Sequence, residues 1–225
     1  MNQPQTPSGI LLVDKPSGIT SFDCIRRLRK QLGIKKIGHA GTLDPMATGL
    51  MIFLVGSSTK LATSFLKHDK SYDAEITLGF NSATADKEGE LTAVSEIVPT
   101  LEEVEKALEV FTGLIKQTPP AYSAIKIGGK PAYKRARSGE QVEIPEREVN
   151  IYKLDLISYE YPILKISTHV SSGTYIRTLA EDIGKQLGTG AYLSGLRRTT
   201  IGGFSIEKAK PLESVNQSDL FQRTA

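Results

Sequence analysis

Gly38-His39-Ala40-Gly41-Thr42-Leu43-Asp44-Pro45-Met46-Ala47-Thr48-Gly49-Leu50 is the stretch around which the rest of the chain is arranged. Three glycines, a proline, a histidine and a single carboxylate lie between a basic segment and an apolar run. Glycine lets the backbone bend and lets another chain come close, while Pro45 fixes its own φ and drives Asp44 toward extended backbone. A carboxylate on such a stiff turn is poorly suited to packing and well suited to presenting an acid, a base or a nucleophile. Taken alone, Asp44-Pro45 is also an ordinary turn starter, which is what most Asp-Pro pairs are.

Working outward, Gly9 to Val13 reads as a short strand that ends in the turn Asp14-Lys15-Pro16-Ser17-Gly18. Thr20 or Ser21 can cap a helix whose apolar positions are Phe22, Ile25, Leu28 and Leu32, with Gly33 as the stop. On the other side, Leu50 to Val55 predicts a buried strand and Ser57 to Leu66 a short helix. Ser71 to Phe80 alternates, with Tyr72, Ala74, Ile76 and Leu78 on one face, as a half-buried strand does. Thr100 and Glu103 form a capping-box pattern ahead of Leu101, Val104, Leu108 and Phe111. A strand from Ala124 runs into the Gly128-Gly129 turn. Strands at about 149–160 and 162–170, a helix at 174–187 and a hairpin at 191–205 follow. Strands and helices mix without a regular βαβ period, which predicts an α+β architecture on a mixed, largely antiparallel sheet.

The 225 residues are 39% hydrophobic and 24% charged, the composition of a soluble globular protein long enough to bury a substantial core. No apolar run approaches the ~20 residues that span a membrane, and the polar N-terminus lacks the features of a signal peptide. A lone cysteine, Cys24, makes the cytoplasm the expected compartment. The net charge of +3 is mild, but its distribution is not. Arg26, Arg27, Arg29, Lys30, Lys35 and Lys36 stand together without an acid, whereas seven glutamates against Lys106 fall between Glu88 and Glu109. Charge separated in this way gives one face a potential that attracts phosphates. For either cluster alone, a solvated helix face is an equally good explanation. His39, His68 and His169 show no ligand spacing with each other or with cysteine, so no metal is expected.

Gly38 to Pro45 followed by Ala47-Thr48-Gly49 resembles the signature of TruB-type tRNA pseudouridine synthases, and four further segments match in the same order. The resemblance covers about residues 9 to 210 and implies the pseudouridine synthase fold, a central sheet whose helices and loops flank an RNA-binding cleft. It implies a reaction in which a uridine base leaves C1′, rotates and rejoins through C5, with no cofactor. It makes Asp44 the essential catalytic residue. A carboxylate could stabilise charge at C1′, add covalently or abstract a ribose proton, and the residues do not choose among these routes.

By the same resemblance, Tyr72 in Lys70-Ser71-Tyr72-Asp73-Ala74 stacks on the target base and takes part in proton removal at C5. Arg177 in Gly173-Thr174-Tyr175-Ile176-Arg177 pairs with Asp44, and Tyr175 sits beside the flipped base. Asp86 in Ser82-Ala83-Thr84-Ala85-Asp86 joins the arginine network, although many members carry threonine where Ser82 stands. His39 is assigned to stacking in the RNA loop that the flipped base vacates. Lys126, Lys130 and Arg137 belong to a block of aromatic and basic residues suited to bases and phosphates. Lys15 and Pro16, and Leu196-Arg197-Arg198, fit family positions that border the cleft.

The expected substrate is therefore the T-arm loop of tRNA, position 55, bound by a monomer without a guide RNA. The expected organisation is one catalytic domain over 1–225, without the C-terminal PUA-like domain that bacterial members usually carry. Two other readings stand beside this one. A catalytically silent RNA-binding protein would not need Asp44, Tyr72 and Arg177 together, and a glycosidase would need a second carboxylate, for which Asp86 is the candidate.

Overall fold

The computed structural model describes residues 7–120, 122–123, 125–132, 135, 138, 140 and 143–221. In chain order the strands are β1 (Gly9–Lys15), β2 (Ile37–His39), β3 (Thr48–Val55), β4 (Lys70–Leu78), β5 (Phe80–Ser82), β6 (Leu91–Ala93) and β7 (Gly113–Gln117). Then come β8 (Lys126–Ile127), β9 (Lys130–Pro131), β10 (Arg147–Glu160), β11 (Ile163–Val170), β12 (Ala191–Ile201), β13 (Phe204–Ser205) and β14 (Lys210–Pro211). The helices are α1 (Ser21–Leu32), α2 (Ala62–Leu66), α3 (Leu101–Val110) and α4 (Ile176–Gln186). The architecture is α+β, and the sheet is mixed. The chain forms two compact units, Met1–Tyr72 with Leu196–Ala225, and Asp73–Gly195. By their residue ranges, β4 carries the chain out of the first unit and β12 brings it back.

In the first unit β3 is the central strand. It pairs antiparallel with β1, Val13 opposite Met51 and Lys15 opposite Gly49, and antiparallel with β2. Its other partner is β12, parallel, with Arg198 opposite Gly49. Both faces of β3 are covered, so its residues from Gly49 to Val55 are all buried. This explains the unbroken apolar run, which a strand wetted on one face would replace by alternation. One face packs Leu50, Ile52 and Leu54 with Ile10, Leu12, Ala40, Phe65 and Ile201.

Helix α1 begins and ends as its sequence predicts. Thr20 is the N-cap in a reciprocal box with Asp23, and Gly33 closes the helix at φ 68°. Its buried face differs from the expected one by one position. Phe22 is 55% exposed, with the Arg26 guanidinium over its ring, and Ser21 and Cys24 point inward with Ile25, Leu28 and Leu32. The inward Ser21 is required by a loop contact described below, which helical spacing alone does not register. Arg26, Arg27, Arg29 and Lys30 face solvent.

In the second unit the strand order is β4-β11-β10-β7, with β10 antiparallel to both neighbours. Two small hairpins, β5–β6 and β8–β9, lie outside this sheet. Helix α3 carries the expected capping box, with Glu103 Oε2 accepting from Thr100 N at 2.7 Å and Thr100 Oγ1 accepting from Glu103 N at 3.3 Å. It buries Val104, Ala107 and Leu108 and leaves Leu101 exposed. The strands at 149–160 and 162–170 and the helix at 174–187 appear as β10, β11 and α4, within about three residues of expectation. No described helix is long and apolar enough to cross a membrane.

Gly49 is the tightest point of the first unit. Its φ is +105°, and a Cβ there would lie 2.4 Å from the Arg198 carbonyl oxygen and 2.6 Å from its nitrogen. Gly49→Ala is expected to lower stability by about 3 kcal/mol or more through backbone clash and strain. Gly203→Ala, where a Cβ would meet nothing within 4 Å, is the control, expected within about 0.5 kcal/mol of wild type. Denaturant unfolding of both variants checks the contrast.

Candidate active site

The loop between β2 and β3 carries Asp44, and nearly every peptide in it is tied down. Ala47 N donates to Asp44 O at 3.1 Å, closing the turn around Pro45. The Pro45 carbonyl accepts from Gly18 N at 2.8 Å and from Lys15 Nζ at 3.2 Å. The Ser21 hydroxyl accepts from Leu43 N at 2.9 Å and lies 3.0 Å from Leu43 O, to which it donates. Arg198 donates from Nε to Leu50 O at 2.8 Å, from Nη1 to Thr42 O at 3.3 Å and from Nη2 to Gly41 O at 3.3 Å. Asp44 itself is half-buried, so its carboxylate is presented on a scaffold that has little freedom left.

Arg198 is 1% exposed, and among the described residues no carboxylate lies within ion-pair distance of it. Carbonyl dipoles and the Tyr72 hydroxyl stand in for a counter-ion. Burial lowers the Arg198 pKa and the Tyr72 contact partly offsets this. Tyr72, expected to stack on the target base, is buried at the start of β4 against this guanidinium. His39 is half-buried with its ring edge toward Phe53, centroids 6.5 Å apart. Burial, and secondarily the Arg198 charge, lowers its pKa, which favours the neutral ring. Lys70 is also buried, donating from Nζ to Leu66 O at 3.2 Å and to His68 O. Burial, with Arg198 nearby, brings its amine down to about 8.

The second unit assembles the other pair. Arg177 stands in the first turn of α4, 5% exposed, with Asp86 beside it at 3%. Its Nη1 lies 3.4 Å from Asp86 Oδ2 and donates to Thr84 O at 3.2 Å, while Nη2 donates to Tyr122 O at 3.0 Å. Asp86 Oδ1 in turn accepts from Thr84 Oγ1 at 2.6 Å and Glu88 N at 3.0 Å. Ala85 adopts φ 62° to make this loop, a conformation uncommon for a residue with a side chain. A cation in the first turn of a helix opposes the helix dipole. Here the acid and two carbonyls compensate it. Arg177 is therefore a component of a buried network and no surface arginine.

The remaining expected residues fall as follows. Tyr175 is half-buried as the N-cap of α4, and Leu196 is half-buried on β12 with its carbonyl accepting from Thr48 Oγ1 at 3.4 Å. Lys130 is exposed on β9. Lys126 lies on β8, but its side chain and the whole of Arg137 are outside the described residues. Lys15, expected to border RNA, is 0% exposed and donates to Pro16 O at 2.9 Å, Ile19 O at 2.7 Å and Pro45 O. Its amine supports the aspartate loop from within. The resemblance places Leu196-Arg197-Arg198 at the cleft border without telling the buried Arg198 from its neighbours. Strand alternation separates Arg197, paired with Asp14 at 2.7 Å, from Arg198 behind it, but does not say which of the two is buried. Among the described residues no group of His, Cys, Asp and Glu could hold a metal ion.

Residues 29–176 match the profile described as TruB family pseudouridylate synthase, N-terminal domain, and residues 177–224 match that of the tRNA pseudouridylate synthase B C-terminal domain. The class is thus pseudouridylate synthase. The chain is 49% identical over 205 residues to tRNA pseudouridine synthase B of Protochlamydia amoebophila, covering 91% of this chain and 78% of that protein. It is 48% identical over 199 residues to the protein of that name from Fusobacterium nucleatum, covering 88% and 69%. Among solved structures, a Cbf5-Nop10-Gar1 complex contains a chain that superposes with a TM-score of 0.72 at 28% identity, over 94% of this chain and 55% of that one. A second, in an H/ACA RNP bound to a substrate RNA containing 2'-deoxyuridine, gives 0.70 at 26% identity, over 94% and 54%. This chain spans about half of each of those two. With most of its length matched by these profiles, the chain belongs to the TruB family.

The buried Lys70 generates a pH signature. Its folded pKa of about 8 lies below the ~10.4 of an exposed lysine, so between these values the unfolded chain binds more protons than the folded one. Stability from this group therefore rises as pH climbs from about 8 toward 10, by at most about 1.4 kcal/mol per pH unit. The expected outcome is that wild type gains stability over this window relative to Lys70→Met. Urea midpoints of both proteins at pH 7, 8.5 and 10 measure the difference, and parallel profiles would contradict it.

Proposed function

We propose that this chain isomerises uridine to pseudouridine in the T-arm loop of tRNA, at position 55, acting without a guide RNA and with Asp44 as the essential group. The observation that carries the reading is the immobilisation of the Asp44 loop by buried Lys15, Ser21 and Arg198. Preorganisation of this kind serves a group that must meet a reacting atom within a fraction of an ångström. A protein that only binds RNA gains nothing from burying two cations to hold one aspartate in place. Family membership and the names of the relatives support the same substrate.

In this reading the target uridine leaves the stacked loop, at a cost of a few kcal/mol, and its C1′ meets the Asp44 carboxylate. The bond from C1′ to N1 breaks, the base rotates, the bond from C1′ to C5 forms, and the proton lost from C5 is balanced by one gained at N1. Tyr72 stacks on the base and takes part in proton removal at C5, Tyr175 is the residue assigned beside the flipped base, and neutral His39 fills the vacancy in the RNA loop. Arg177 and Asp86 complete the catalytic set. Exposed cations on α1 and Lys130 meet phosphates, which makes affinity fall with salt.

Asp44→Asn is expected to abolish pseudouridine formation on an unmodified tRNA transcript while tRNA affinity stays within a few-fold. Any of the three routes open to the carboxylate is lost with its charge. Mapping the modified position tests the site, and residual turnover by the purified variant would remove Asp44 from its role. Arg177→Lys is expected to lose most of kcat as well. An ammonium cannot reproduce the planar fork that engages Asp86, Thr84 and Tyr122 together. Single-turnover assays at saturating enzyme report this loss without interference from binding.

A further inference from the structure

Tyr175 is placed by two residues that the catalytic set does not include. As the N-cap of α4 it has no side-chain cap of its own. The buried Gln117 of β7 instead holds the backbone of the N-cap residue itself, its Oε1 accepting from Tyr175 N at 3.1 Å and its Nε2 donating to Tyr175 O at 3.3 Å. Both ends of one amide are thus spent on the backbone of one residue. The ring still has two rotatable bonds, and a second side chain restrains it. Arg147, directly opposite Gln117 in the β7–β10 register, sets its guanidinium 4.7 Å from the Tyr175 ring centroid.

That guanidinium also lies over Gly173. A Cβ built on Gly173 would stand 3.5 Å from Cζ and Nη1 and 3.6 Å from Nη2. Three nearly equal distances mean that the planar group turns its face, not its edge, to the backbone. Gly173 also needs φ +93°, so the same residue serves the turn and leaves the space. Nε and Nη2 of Arg147 are shielded and have no hydrogen-bond partner among the described residues. Shielded donors normally cost free energy, so hydrogen bonding is not what keeps Arg147 here. What remains is the flat cation against an aromatic face.

We propose that Arg147 is a positioning residue, a planar cationic wedge packed against both Gly173 and Tyr175 that fixes the plane Tyr175 offers to the target base. The inference rests on the reading that Tyr175 flanks that base. Because Tyr175 opens the helix turn that contains Arg177, the wedge and the Gln117 clamp locate the start of that turn as well.

The test combines kinetics with a measurement that needs no turnover. Arg147→Met is expected to lower kcat about tenfold with KM within twofold, the scale of one cation–aromatic contact. Arg147→Lys should do no better, because it restores charge without the plane. Added to Tyr175→Leu, Arg147→Met should cost less than a further twofold. In protein carrying 13C-labelled tyrosine, the Tyr175 ring resonance, identified by its loss in Tyr175→Leu, should move in both Arg147 variants while circular dichroism remains that of wild type. Rescue by lysine, a loss confined to KM, fully additive losses or an unmoved resonance would each overturn the proposal. Should Arg147→Met not fold, the lysine variant carries the same comparisons. If wild type forms no pseudouridine, the functional reading fails on its own, and the resonance still decides whether the wedge exists.

Discussion

A buried guanidinium in a cage of carbonyls is the constraint on which the first unit depends. Arg198 comes from β12, a strand distant in sequence, and reaches Gly41, Thr42 and Leu50 on either side of Asp44. The Gly41 and Thr42 carbonyls belong to a loop that has given up regular pairing, and buried backbone acceptors without donors are costly. The arginine supplies the donors that strand geometry would otherwise have provided. In exchange, the carbonyl dipoles and the Tyr72 hydroxyl compensate a charge whose burial would otherwise cost several kcal/mol. Removing either side leaves the other unsatisfied, so the cation and the shape of the loop are specified together. The close approach at Gly49, where only glycine fits against the Arg198 backbone, belongs to the same arrangement.

The second unit meets a similar demand differently. Arg177 is also buried, but it has the Asp86 carboxylate beside it, and Asp86 is itself fixed by Thr84 and the amide of Glu88. Here the positive φ of Ala85 carries the strain, and a short hydroxyl-rich loop from Ser82 to Gly89 closes on itself around the acid. An ion pair of this kind tolerates loss of one partner badly. The dipole cage around Arg198 spreads its compensation over three carbonyls and a phenol instead. The first solution puts a rigid arginine beside Tyr72, to which the proposed reaction gives work, and the second fixes Arg177 in the helix turn that Tyr175 opens.

Much of this was legible in the sequence because it is local. Thr20 with Asp23, Thr100 with Glu103, and Gly33 at a helix end announce themselves within four residues. The Leu50 to Val55 run reads as a buried strand, and the loop motif marks Asp44. What escaped the reading depends on distant partners. Helical spacing put Phe22 inside, but the Leu43 amide needed the Ser21 hydroxyl, and the helix turned that way. Lys15 is placed among the RNA contacts by its match to a family position at the cleft border, and nothing nearby in sequence reveals that Pro45 lends it a carbonyl. Arg197 and Arg198 are identical in type and adjacent, and only the tertiary partners Asp14 and the aspartate loop tell them apart. Strand β7 was missed because Gly113 to Gln117 is short and half-exposed, yet it supplies the Gln117 amide.

The choice of cation at each support follows from the shape of the space it fills. Lys15 serves Pro16, Ile19 and Pro45, whose carbonyls converge on one point from the turn after β1 and from the aspartate loop. Three acceptors around a point suit an ammonium, which has three donors on one nitrogen. Arg198 serves the carbonyls of Gly41, Thr42 and Leu50, and the guanidinium reaches each with a separate nitrogen, Nη2, Nη1 and Nε. Lysine at 198 would satisfy one end of the loop and abandon the other. Arginine at 15 would bring a plane into a space shaped for a tetrahedron. The two buried cations hold the same aspartate loop from opposite ends, one near its proline and one near its glycines, and neither can do the work of the other.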